Sequence, residues 1–332
     1  MNRSKLRSIG VLLLVGVLVL LPTAVQSWGF YAHRQINKLA VFTLPQEMLG
    51  FYKKHIDFIE EHAVDPDKRR YGVEGEAPRH YIDIDYYCKG KVHCNPFLLM
   101  PRSWYEAKEK FTEDTLQAYG IVPWHIAVMV NRLTDAMKAG DASRILRTSA
   151  ELGHYVGDAH VPLHTTENYN GQLTGQKGIH GFWESRLPEL YDDDYSFFVG
   201  RAKYISNPRD AAWEIVEASH AALDSVLRFE AELNKSWPAD QKYSYEERGR
   251  VISQVYSEGY SRAYHLKLNG QVERRMREAV IMTGSFWYTA WVNAGQPDLD
   301  KLDLPKEEEL LTAPALVLDS LPQKIRTRPH DN

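Results

Sequence analysis

Two histidine–carboxylate pairs stand four residues apart within a 31-residue stretch: His154 with Asp158 in LGHYVGDAHVPLH, and His180 with Glu184 in GIHGFWESRL. Four residues is just over one helical turn, so each pair shares one face of a helix. Zinc binds neutral imidazole nitrogens and carboxylate oxygens at about 2 Å, and these are the residue types such pairs offer. One pair alone is usually an exposed helix contact worth about 0.2–0.5 kcal/mol. Two pairs with His164 between them, placed just after Pro162, point instead to metal ligation. Gly153 and Gly157 flank the first pair and would let a neighbouring backbone or an ion cluster come close.

Further residues of the same chemistry lie upstream. HYIDID places His80 ahead of Asp83 and Asp85, AVDPDK holds Asp65 and Asp67, and WGFYAH sets His33 five residues after Trp28. Each alone reads as a solvated loop group. Taken in order, Trp28-x4-His33, Asp65, His80, His154-x3-Asp158-x5-His164 and His180-x3-Glu184 resemble the zinc-dependent phospholipases C. They are similar, too, to the related zinc-dependent single-strand nucleases of fungi and plants. The resemblance spans residues 28 to about 190, with HYVGDAHVPLH its most specific part, and FWYTAWVNAG is similar to the family's last helix.

That resemblance implies three zinc ions. One would take Asp65, His80, His154 and Asp158, with Asp67 the alternative to Asp65. A second would take the amine and carbonyl of Trp28, His33 and a bridging Asp158. The third would take His164, His180 and Glu184. Three dications bring about +6 against three carboxylates, a surplus suited to an anionic phosphodiester and its transition state. The expected nucleophile is a water activated at the Asp158-linked pair, with Asp65 giving general-base assistance as a secondary role.

Trp28 can ligate through its amine only if it leads the mature chain. The first residues support that: Arg3, Lys5 and Arg7 precede an apolar run from Ile9 to Leu21, then Pro22, with Val25 and Ser27 at the small-residue positions of a cleavage site. Thirteen apolar residues fall short of the roughly 20 that span a bilayer. Residues 1–27 are therefore expected to be a signal peptide, cut near Ser27–Trp28, and the protein to be exported to the periplasm or the medium. Its removal takes the net charge from −4 to about −7. No basic stripe for long nucleic acid is visible, although a local cationic site made by metal remains open.

The elements that must position these residues read as helices. Helical spacing joins Ile126 to Met137, Ile145 to Val156, Trp213 to Leu227 and Val272 to Trp291, and a further helix is expected over Tyr245 to Tyr264. YIDIDYY alternates only briefly. The expected fold is all-α, one multi-helix bundle over residues 28–295 around a trinuclear zinc site, followed by a Pro-rich charged tail over 296–332. Cys88 and Cys94, six apart in an exported chain, read as a disulfide loop; a zinc site with His93 is the alternative, short of the usual four ligands.

The substrate reading turns on small differences. Glu184, where the nucleases usually have aspartate, and the short His164-to-His180 spacing resemble the phospholipases, whereas the Cys88–Cys94 loop soon after HYID is similar to disulfides of the nucleases. Tyr81 could stack on a base, contact a choline-like head group or be structural. The acidic mature chain tips the expectation to a phospholipid or another small phosphodiester, with single-stranded nucleic acid next. A non-catalytic zinc-binding helical protein, or a helical adaptor with ordinary surface groups, is the reading of another class. His125 and His220 are expected in the core, and His160 as hydrogen-bond support for the ligands beside it.

Overall fold

The computed structural model describes residues 29–248 and 251–302. The expected signal peptide, Trp28 and most of the expected tail lie outside these described residues.

Six longer helices build the scaffold: α1 (Gly29–Val41), α2 (Val122–Ala139), α3 (Ala142–Ala159), α4 (Pro208–Ser236), and, after a hairpin of β1 (Tyr243–Arg248) and β2 (Val251–Tyr256), α5 (Glu258–Leu268) and α6 (Gln271–Asn293). Local signals set their ends. Gly140, at φ +66°, closes α2, and the Asp141 carboxylate then accepts the Arg144 backbone N–H at 3.0 Å to open α3. Asn207 caps α4 in the same way ahead of Pro208.

α3 lies at the centre. It packs against α1, α2, α4 and α6, and every residue from Thr148 to Ala159 is buried. A helix enclosed on all sides must satisfy its polar groups from its neighbours. Trp287 of α6 donates its Nε1–H to the Ser149 carbonyl at 3.0 Å and stacks on Tyr52, whose hydroxyl meets the Ser149 hydroxyl at 2.9 Å.

The expected helices over 126–137, 145–156, 213–227 and 272–291 all fall within described helices, and among the described residues the fold is all-α apart from one two-stranded sheet. That sheet corrects the helix expected over Tyr245 to Tyr264. YSYEER and VISQVY pair antiparallel, with Tyr243 opposite Tyr256. Aromatic and β-branched residues at alternating positions favour a hairpin. The helical period begins only after Ser257, whose hydroxyl caps α5 by accepting the Tyr260 N–H at 3.3 Å. YIDIDYY is neither strand nor long helix: a 3-10 turn ends at His80 and another runs Ile84–Cys88.

Cys88 and Cys94 are disulfide-bonded, which removes the zinc alternative at that loop. The first residues of the expected tail pack onto the bundle: Leu299 is buried, and Trp291 Nε1 donates to the Pro297 carbonyl at 2.8 Å. No described helix is long and apolar enough to cross a membrane.

α1 is seated on α3 through Gly153. A Cβ there would stand 1.9 Å from the Asn37 carboxamide oxygen and 3.1 Å from Thr283 of α6. Asn37 cannot swing aside freely, because its amide donates to the Ile59 carbonyl at 3.2 Å and the Ala150 carbonyl at 2.9 Å. Gly153→Ala is therefore expected to destabilise the fold by about 1–3 kcal/mol through overpacking and lost buried hydrogen bonds. Chemical denaturation measures it; an unchanged midpoint would mean that the α1–α3 approach is not this tight.

Candidate metal centre

α3 carries His154 and Asp158 on one face of its last two turns, both buried. α1 brings His33 against them. A Cβ at position 157 would lie 2.8 Å from His33 Nδ1, so the glycine makes room for this imidazole. The His33 and His154 rings stack with centroids 4.1 Å apart. His33 Nε2 faces Asp158 Oδ1 at 3.4 Å and Glu184 Oε1 at 3.7 Å.

The opposite oxygen of Asp158 faces different partners. Its Oδ2 lies 2.9 Å from His80 Nδ1 and 3.1 Å from His154 Nε2. Those two nitrogens are themselves 3.0 Å apart, and Asp67 Oδ1 stands 3.6 Å from each. His164, in the 3-10 turn Pro162–Thr165, meets His180 nitrogen to nitrogen at 3.0 Å. Glu184 Oε2 closes that group, 2.6 Å from His180 Nε2 and 3.4 Å from His164 Nε2. Glu184 sits in a π-helical stretch, Phe182–Arg186, a local widening that recurs at functional sites. The hairpin braces that stretch: Arg186 donates to the Tyr256 carbonyl and to Glu246, and Phe182 stacks on Tyr256 at 3.8 Å.

These donor sets fit zinc. Tetrahedral bonds of about 2.0–2.1 Å place neighbouring ligand atoms roughly 3.3 Å apart, close to the separations above. The tautomers are prepared as well. His154 Nδ1–H donates to the Ala63 carbonyl at 2.9 Å and His164 Nδ1–H to the His80 carbonyl at 2.5 Å, which leaves both Nε2 lone pairs turned inward. Three groups of donors result: His33, His154 and Asp158; Asp67, His80 and His154; His164, His180 and Glu184.

The charges are arranged for a cation. Burial would raise the pKa of Asp158, but His154 and His164 outweigh it and hold the carboxyl well below its usual range. Burial opposes ionisation of Glu184 too, and His180, His164 and His33 overcome it. Burial also opposes charge on His33, yet Asp158 and Glu184 push its pKa up to about 10. Without a metal, a proton on His33 supplies the positive charge that these carboxylates require.

Of the expected ligands, His33, His80, His154, Asp158, His164, His180 and Glu184 come together here. Asp65 does not. Its carboxylate faces His62 at 2.5 Å and Lys68 at 2.9 Å, and Asp67 occupies the place expected for it. Both lie on the short helix Asp65–Arg69, where residues two apart point in nearly opposite directions. Trp28 lies outside the described residues, and its neighbour Gly29 borders Glu184: a Cβ there would lie 3.0 Å from Oε1.

Tyr81 is fully buried and donates to the Ala118 carbonyl at 3.4 Å, so the structural reading of this residue holds rather than base or head-group contact. His160 donates to the Val156 carbonyl at 2.7 Å instead of supporting a ligand. His125 is buried and His220 is bonded to Thr165. A group absent from the sequence reading lies behind His80: Glu76, buried among Arg69, Arg79 and Tyr155. Its i, i+4 spacing to His80 was the available signal.

The family model for the S1/P1 nucleases matches residues 28–275. No curated protein matches the chain. Among solved structures, alpha-toxin of Clostridium perfringens from an avian strain is similar at 13% identity and a TM-score of 0.43, over 81% of this chain and 65% of that one, so the chain spans under two thirds of its length. With that family model covering most of its length, the chain belongs to the S1/P1 nuclease family.

Proposed function

We propose that this protein is an exported nuclease that hydrolyses phosphodiester bonds of single-stranded nucleic acid at a centre of three zinc ions. The observation that carries the substrate is the family match over residues 28–275, which moves the reading from the phospholipid suggested by charge to nucleic acid. Phospholipid stays as the second reading, favoured by Glu184 as the closing carboxylate and by the 16 residues from His164 to His180. Export rests on the leader before Trp28, the residue where the family match also opens.

In this reading Asp67, His80, His154 and Asp158 would hold one ion, His33 and Asp158 with the Trp28 amine and carbonyl would hold the second, and His164, His180 and Glu184 would hold the third. The bridging role of Asp158 rests on its two oxygens facing different donors. Zinc bound there would supply a Lewis acid able to polarise a phosphoryl oxygen and to lower the pKa of bound water toward neutrality. The chain's part is to fix those charges. Neutral imidazoles outnumber carboxylates among the donors, so Asp67, Asp158 and Glu184 leave a positive surplus to receive the phosphate and its added negative charge. Burial of nearly all donors keeps their orientation and strengthens the field at the reacting bond.

The first test is to purify the mature protein, count zinc, and assay single-stranded DNA beside phosphatidylcholine. About three zinc ions with chelator-sensitive nucleotide release is the expected result. Release of diacylglycerol instead would move the substrate to phospholipid, and zinc with neither product would favour the non-catalytic alternative.

Asp158→Asn is expected to remove about two zinc ions and to lower activity by roughly 100-fold or more; full activity with an unchanged metal count would refute its bridging role. Asp67→Asn should lose one ion and about 10- to 100-fold in activity, while Asp65→Asn stays near wild type in both. The opposite ranking in metal analysis would return the ligand to Asp65.

A further inference from the structure

Glu76 is a fully buried carboxylate that touches no candidate donor atom of the metal groups, yet it stands directly behind one of the rings that carries such an atom. Its Oε1 lies 3.5 Å from His80 Nε2. On the far side of the same imidazole, Nδ1 faces Asp158, His154 and Asp67. His80 is itself fully buried, and its Nε2 has no formed hydrogen bond among the described residues.

We infer that Glu76 is a positioning residue for the metal centre: it receives His80 Nε2–H and so turns Nδ1 toward the ion held with Asp67 and His154. The inference rests on the reading that this group holds zinc. A ligating histidine almost always donates its other ring N–H to a carboxylate, a carbonyl or water. Nε2 forms no hydrogen bond among the described residues, the Glu76 carboxylate stands 3.5 Å from it, and the ring is closed off from solvent. At 3.5 Å the contact is longer than a formed N–H···O bond. Ligation at Nδ1 would make Nε2–H a stronger donor toward the carboxylate.

The surroundings hold Glu76 both charged and still. Its Oε2 accepts from Arg69 Nε at 2.9 Å and Arg79 Nη1 at 2.8 Å, and its Oε1 accepts from the Tyr155 hydroxyl. Arg69 is gripped in turn by Glu151, at 2.6 Å, and donates to the Tyr155 oxygen at 3.0 Å. Buried ion networks of this kind are costly to desolvate, and well-packed apolar residues often stabilise a core as well. What an apolar substitute would not provide is a fixed anion behind the His80 ring.

The test separates metal positioning from fold stability. Zinc affinity is measured site by site by chelator competition, and thermal stability on the metal-free protein. Glu76→Gln keeps the side-chain shape and removes the charge; it should weaken one zinc of the wild-type complement by roughly 10- to 100-fold and leave the others unchanged. Glu151→Gln, which touches Arg69 but not His80, should alter stability and leave zinc affinity as it was.

If Glu76→Gln fails to fold, Tyr155→Phe removes the hydroxyl donor to the same oxygen while keeping the ring, and a several-fold loss at the same single site is expected. Unchanged zinc affinity in these variants, or an equal loss in Glu151→Gln, would overturn the inference and leave the network purely structural. Wild-type protein that takes up no zinc at all would instead overturn the metal reading, and this inference with it.

Discussion

A carboxylate buried as deeply as Asp158 has to be met by positive charge or by hydrogen-bond donors, because leaving it uncompensated costs several kcal/mol. Four imidazoles meet it, and they come from distant parts of the chain: His33 from α1, His80 from a 3-10 turn, His154 from α3 itself and His164 from the turn after α3. Bringing those segments to one point is what the helix packing accomplishes. α1 must cross α3 closely enough for His33 to reach Asp158, and it does so over Gly153 and Gly157, where side chains would hold it away.

Regular and irregular backbone divide the work. α2, α3 and α6 are straightforward helices that bury large side chains and keep one another in place. The candidate ligands outside α1 and α3 sit on short or irregular pieces instead: a one-turn helix for Asp67, 3-10 turns for His80 and His164, a short helix for His180 and a π-helical stretch for Glu184. A single regular helix offers ligands only along one stripe, spaced by turns. A cluster in three dimensions needs donors from several directions, so irregular segments are anchored on a rigid scaffold.

The two ends of the cluster are also tied together through the backbone. His80 contributes its ring to one group, while its carbonyl accepts His164 Nδ1–H and so orients a member of another. A shift of this one residue disturbs both groups. The arginines and carboxylates behind it, and the hairpin braced on Arg186 beside Glu184, support the two groups separately.

The chain by itself determined the kinds of atom available and their local pairing. Histidine and carboxylate four apart must share a helical face, so His154 with Asp158 and His180 with Glu184 were legible, as were the stripes of α2, α3, α4 and α6 and the family order running from Trp28 to Glu184. Local spacing carries such information because helix geometry repeats every few residues. Tertiary structure alone decided the rest. Asp65 and Asp67 are chemically identical and two residues apart, and which of them turns inward depends on how a five-residue helix docks against α3, not on any periodicity. Tyr81 was open to three readings until packing enclosed its ring. The strands Tyr243–Arg248 and Val251–Tyr256 are only six residues each, too short for their alternation to stand out against a helical period. Glu76 acquires its place only when Arg69, Arg79, Tyr155 and His80 converge around it, because a buried charge is defined by neighbours that sequence distance does not reveal.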